Sequence, residues 1–277
     1  GGISMMRPSI AEWLVETVLK MKQDPRIGDI SHRVYCDTPI TLVRNRMVLD
    51  ARECGADLLL MIDSDQDPDH ALHEGDPYAK PFWDTSFDFV YNHYDKGPVV
   101  VGAPYCGPSP INNVYVFRWA SQRNAALEQD LQIEPYSRGE AAIKVGMEEV
   151  AALPTGLILF DVRAFELTEP KSTADSPWFY YEWKTRYADE KCSTEDVTAT
   201  RDIALAGMQL LGYSPIYCNW DAWAGHSKPE IVGKPNPITI EQINSKYRDA
   251  VLNGASSNKR RITIGGRARS MSEDDTH

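Results

Sequence analysis

Asp63 and Asp65, with Ser64 between them, close the apolar run Leu58–Ile62. Two carboxylates so close repel one another unless a cation neutralises them. Hard divalent ions such as Mn2+ or Mg2+ take carboxylate oxygens and share their remaining positions with substrate phosphates. Far along the chain, Trp223-Ala224-Gly225-His226-Ser227-Lys228 offers an imidazole for such an ion and an ammonium for a phosphate. Ser193-Thr194-Glu195-Asp196-Val197 opens a long helical pattern. A carboxylate in that first turn is favoured by the helix dipole and is held well enough to act as a general base toward a hydroxyl. Arg44-Asn45 sits on a helix that must flank the acidic strand. Each feature also has a plainer reading: turn chemistry after a strand, a solvated loop histidine, a dipole-favoured acid and a solvated arginine.

The elements that would position these groups alternate between helix and strand. Ser9-Ile10-Ala11-Glu12 reads as a capping box opening a helix to about Lys22. A short strand is expected at His32–Cys36, then a helix with Thr38 as cap and Pro39 at its first position. Leu58–Ile62, Pro98–Ala103 and Leu153–Asp161 are continuous apolar runs, the pattern of strands covered on both faces in a parallel sheet. Val114–Trp119 reads as extended and Ala120–Gln129 as helical. Ser193–Leu211 reads as a helix closed by Gly212, followed by a strand at Ser214–Cys218 and a helix at Thr239–Leu252. The class is therefore α/β, with a mostly parallel central sheet flanked by helices in a single domain over 1–254. Residues 255–277 are polar and carry Lys259, Arg260, Arg261, Arg267 and Arg269, the composition of a mobile tail.

Composition narrows the function classes. The chain has 277 residues, with 40 acidic against 29 basic side chains, a net charge of −11 and a pI near 5.0. That balance argues against general binding to nucleic acid, which depends on a lysine and arginine surplus. No apolar run approaches the ~20 residues of a membrane-spanning helix. Five widely spaced cysteines with no CxxC pair suit reduced thiols in a cytoplasmic setting.

Taken together, the motifs resemble the GT-A-fold glycosyltransferases, in particular the small family-2-like forms of bacteria and phages. The likeness rests on Arg44-Asn45-x-x-Val48, Gly55–Asp65, Val100–Tyr105, Leu153-Pro154-Thr155-Gly156, Pro177-Trp178-Phe179, Thr194–Val197 with Arg201 and Gly207, and Gly225-His226. It runs in order from about residue 40 to 229. It implies a Rossmann-like domain with a nucleotide-sugar half at about 1–107 and an acceptor half at about 108–254. The family's first strand would lie upstream of Gly1, and the stretch 110–146 carries no family motif.

The resemblance implies a role for each site residue. Asp63 would face the ribose or the metal's water, and Asp65 and His226, together with Asp63, would complete the protein ligands of Mn2+ or Mg2+. Arg44 and Lys228 would meet the diphosphate, while Ser64, Thr155 and Gly156 would line the donor. Trp178 and Phe179 would approach the acceptor, and Asp196, or failing that Glu195, would deprotonate it, giving inversion at the anomeric carbon. The expected donor is a nucleotide sugar, most often a UDP-sugar. The acceptor is a glycan, a protein or a hydroxymethylated DNA base, and the setting the cytoplasm, that of the host for a phage protein. Two other classes stay open: a metal-dependent phosphatase or nuclease using Asp63 and Asp65, and a binding module that keeps the fold without the chemistry.

Overall fold

The computed structural model describes residues 8–35, 39–107, 113–120, 133–169, 177–183, 191–227 and 231–232. The expected helices at 120–129 and 239–252, the tail 255–277 and Lys228 lie outside the described residues, apart from Ala120, which is in no helix.

The described chain is mixed α/β. Its helices are α1 (Pro8–Gln23), α2 (Ile40–Glu53), α3 (His70–His73), α4 (Phe82–His93), α5 (Arg138–Ala142) and α6 (Glu195–Leu210). Its strands are β1 (Leu58–Ile62), β2 (Gln66–Asp67), β3 (Val100–Gly102), β4 (Phe117–Trp119), β5 (Ile133–Pro135) and β6 (Met147–Glu149). They continue as β7 (Leu157–Asp161), β8 (Glu182–Trp183), β9 (Lys191–Ser193), β10 (Ile216–Asn219), β11 (Gly225–Ser227) and β12 (Ile231–Val232).

Five strands form the central sheet in the order β1-β7-β3-β10-β6. The pairs β1/β7, β7/β3 and β10/β6 are antiparallel, and β3/β10 is parallel. The expected mostly parallel sheet is thus corrected to a mostly antiparallel one. The misreading has a physical source: an unbroken apolar run reports burial on both faces and carries no information about direction. All five residues of β7 are buried because the strand lies inside the sheet between two layers of helix. Ile158 and Phe160 pack toward Val48 of α2 and Ala199 and Ile203 of α6. Leu157 and Leu159 pack on the opposite side with Trp13 of α1 and Phe82, Phe87 and Val90 of α4. Because β7 is inserted between β1 and β3, the two expected halves interleave in one sheet.

Local chemistry explains the turns that aim β1. Gly55 adopts φ +70°, and its N–H donates to Arg52 while that of Ala56 donates to Ala51, so α2 ends in a Schellman turn that feeds the chain into β1. Gly212, at φ +81°, ends α6 as expected. Other boundaries differ. α1 is already helical at Pro8, so Ser9 is not its cap; a capping box occurs instead at Ser137 and Glu140, opening α5. Pro39 is the N-cap of α2 rather than its first residue. Residues 32–35 join no sheet. Arg33 and the Tyr35 hydroxyl instead reach the Asp50 carboxylate, each at 2.7 Å, so side chains rather than a backbone ladder hold this segment to α2.

Candidate functional site

The tip of β1 continues through Asp63-Ser64-Asp65 into β2, which pairs antiparallel with β11 in a small separate sheet. That pairing sets Gln66 opposite His226, and the Ser227 N–H donates to the Asp65 carbonyl at 2.7 Å. Residues from distant parts of the chain are thereby brought side by side: His226 Nε2 lies 3.4 Å from Asp65 Oδ2. His226 Nδ1 is 3.0 Å from the Cys106 carbonyl, which can only accept, so in a neutral ring Nδ1 carries the proton. The lone pair of Nε2 then faces a carboxylate oxygen, an arrangement relieved by a proton on Nε2 or by a cation between the two. Tyr105 and Tyr115 pack edge-on against the imidazole, with ring centres 5.0 and 6.3 Å away.

This pair fits a hard divalent cation. Two neighbouring ligands on an octahedral ion with bonds of 2.0–2.1 Å stand about 3 Å apart, and such ions commonly take only one or two carboxylates before engaging substrate phosphates. Among the described residues no group of three or more His, Cys, Asp or Glu side chains gathers to hold a metal. Among the described residues, Asp65 and His226 are thus a pair of neighbouring donors.

The expected third donor is turned elsewhere. Asp63 Oδ2 accepts from Arg44 Nη2 at 2.9 Å, and Arg44 Nη1 donates to Glu195 Oε1 at 2.7 Å and stands 3.8 Å from Asp196 Oδ2. Arg44 is 5% exposed. It was expected at the diphosphate; the structure instead engages it with three carboxylates. Burial and the neighbouring Asp65 and Asp196 charges push the Asp63 carboxyl up, against the pull of Arg44. Burial and Asp196 likewise raise Glu195, against the pulls of Arg44 and of the Tyr181 hydroxyl. Of the two candidate bases, the Glu195 side chain is 8% exposed and that of Asp196 is 16% exposed, so Asp196 is the more accessible.

Gly156 lies beside this cluster, its carbonyl accepting from the Asp63 N–H at 2.8 Å. A β-carbon on it would stand 2.7 Å from Gln66 Nε2 and 2.8 Å from the Tyr105 hydroxyl. A side chain at this position would therefore press on Gln66 and Tyr105. Thr155 is fully buried, and its hydroxyl and the Gln66 side-chain carbonyl are buried without a hydrogen-bond partner. Ser64 is exposed at the tip.

Trp178 and Phe179, expected at the acceptor, are core residues. Phe179 is 0% exposed and packs with Phe165, while Trp178 donates from Nε1 to the Phe165 carbonyl. Other aromatic side chains come a few residues later: Tyr181 bears electrostatically on Glu195, and Trp183 is 45% exposed and 6.0 Å from the Tyr181 ring. Gln66, Tyr105 and Tyr181 were missed as site residues. Gln66 had one available signal, its position directly after the acidic pair at the strand tip.

No known protein family and no curated protein matches the chain. Among solved structures, A197 from STIV is similar at a TM-score of 0.39 and 14% identity, over 80% of this chain and 87% of that one.

Proposed function

We propose that the protein is a divalent-cation-dependent glycosyltransferase on a GT-A-type scaffold, moving a sugar from a nucleotide-sugar donor to an acceptor hydroxyl. The observation that carries this reading is the convergence of the Asp65–His226 pair, 3.4 Å apart, with a second carboxylate group, Glu195 and Asp196, tied by Arg44 to Asp63 at the same strand tip.

Asp65 and His226 would hold Mn2+ or Mg2+. When bound, such an ion neutralises charge developing on a nucleoside diphosphate as it leaves. The Asp63 side chain, 35% exposed and fixed by Arg44, offers its second oxygen to a ribose hydroxyl. Lys228, two residues beyond His226, is assigned to the diphosphate. Asp196 takes the proton of the acceptor hydroxyl, and a base on the face opposite the leaving group gives inversion. UDP is the expected nucleotide. A glycan or protein acceptor suits the net charge of −11 better than a hydroxymethylated base in DNA, whose backbone it repels.

The test is a thermal-shift panel of UDP-, GDP- and dTDP-sugars, each with and without Mn2+. A ligand at 100 times its dissociation constant stabilises by about 2.7 kcal/mol. The reading requires stabilisation by at least one nucleotide sugar that depends on the cation. It fails if none shifts the unfolding midpoint.

A further inference from the structure

We propose that Arg44 is a positioning residue: it ties the base-bearing start of α6 to the carboxylate at the tip of β1 and makes no contact with the diphosphate. Its role in transfer rests on the glycosyltransferase reading; the clamp itself does not.

Both terminal nitrogens of Arg44 are engaged, on carboxylates from different elements: Glu195 at 2.7 Å and Asp63 at 2.9 Å. At 5% exposure Arg44 leaves little surface for an incoming phosphate. Moving it toward one would leave Asp63, Glu195 and Asp196 facing one another without a countercharge, and like charges disfavour that arrangement. A planar guanidinium fork can span two acceptors on separate elements, which a single ammonium cannot.

The adjacent residue completes the device. Asn45 Nδ2 donates to the Phe179 carbonyl at 2.8 Å, and the Phe179 N–H donates back to Asn45 Oδ1 at 3.1 Å. Two residues on, Tyr181 bears electrostatically on Glu195, the carboxylate that Arg44 holds. Arg44 and Asn45, adjacent on α2, therefore tie the start of α6 and the segment at Phe179 to one helix turn. In the proposal this shared anchor orients α6 and with it Asp196.

The experiment has a ligand-free arm and a ligand arm. Unfolding midpoints are measured for Arg44→Lys, Glu195→Gln and the double variant. The clamp predicts that the double variant loses clearly less than the sum of the single losses; additive losses would overturn it. UDP binding with Mn2+ is then measured by calorimetry, beside hydrolysis of UDP-sugars, for the wild type and for Arg44→Lys. The expected result is UDP affinity close to wild type while hydrolysis falls about a hundredfold, the scale of a misaimed catalytic group. A parallel fall in UDP affinity would make Arg44 a phosphate contact and overturn the proposal. Should wild type bind none of UDP, GDP or dTDP, the glycosyltransferase reading and the transfer role fall together, while the additivity result decides the clamp.

Discussion

His226 Nε2 stands 3.4 Å from Asp65 Oδ2, held there by a backbone hydrogen bond from Ser227 to Asp65 and by the Cys106 carbonyl on the far side of the imidazole. The pair is prearranged by β2 and β11. In the proposed function, a cation would enter between groups that the fold has already aligned.

Asp65→Asn and His226→Gln should each abolish stabilisation by Mn2+ with UDP. In metal-free buffer Asp65→Asn should unfold close to wild type, because its side chain is 36% exposed. His226→Gln should cost about 1 kcal/mol, the net worth of the bond to Cys106. Thermal unfolding with Mn2+ and then with EDTA checks both. A variant that kept the full cation-dependent shift would remove its residue from the site.

The two acids of α6 should separate in their effects. Asp196→Asn should leave nucleotide binding intact and lower turnover by about 10²–10⁴, the usual contribution of a general base. Glu195→Ala should instead cost about 3 kcal/mol of stability, because it leaves the buried Arg44 with fewer of its partners. Calorimetry of UDP binding, chemical denaturation and donor hydrolysis distinguish the two. Equal effects of both variants on turnover and stability would contradict the assignment.

Asp69 gives the pH prediction. It is 6% exposed, at φ +57°, and accepts from Trp13 Nε1 at 2.7 Å and from the Phe82 N–H at 2.6 Å. Burial nonetheless outweighs these bonds and the charges of His73 and Lys20, and raises its carboxyl above the usual 3.8. The folded state therefore binds this proton more tightly than the unfolded chain does. Its contribution to stability is fullest below pH 3.8 and is lost as the pH rises through the folded value. Asp69→Asn removes that dependence, so its stability relative to wild type should improve with rising pH across the acid range. Denaturation midpoints at stepped pH, read by tryptophan fluorescence, check this; a stability of Asp69→Asn that fell relative to wild type as pH rose would contradict it.

Gly156→Ala should destabilise by about 1–3 kcal/mol through overpacking against Gln66 and Tyr105. Gln66→Ser in the same chain should recover part of the loss, since it withdraws the atoms nearest the new methyl. If Gly156→Ala left stability unchanged and weakened only donor binding, the glycine would face the sugar after all.

The grouping of polar side chains was legible where residue type decides it. Carboxylates at a strand tip, an imidazole after a glycine and acids in a first helical turn could be singled out from the sequence, and the structure gathers them around one strand end. What tertiary contacts decide was not legible. The apolar runs of β1, β3 and β7 announce burial but not direction, and the antiparallel insertion of β7 follows from connections that periodicity does not encode. The resemblance places Arg44 at the diphosphate, while its carboxylate partners come from distant parts of the chain that spacing does not bring together. Trp178-Phe179 and Tyr181-x-Trp183 present the same kind of signal, and only packing against Phe165 assigns the first pair to the core. The segment at 32–35 has strand-forming residues but no neighbouring ladder; Asp50 captures its side chains instead.

The central claim is that Asp65 and His226 together grip a divalent ion that carries a nucleoside diphosphate. Anomalous diffraction at the manganese edge, from crystals grown with MnCl2 and UDP, tests it most directly. The account predicts an anomalous peak within bonding distance of both Asp65 Oδ and His226 Nε2, with UDP oxygens filling other positions. Manganese bound elsewhere, or UDP bound with no peak between those two side chains, would contradict it.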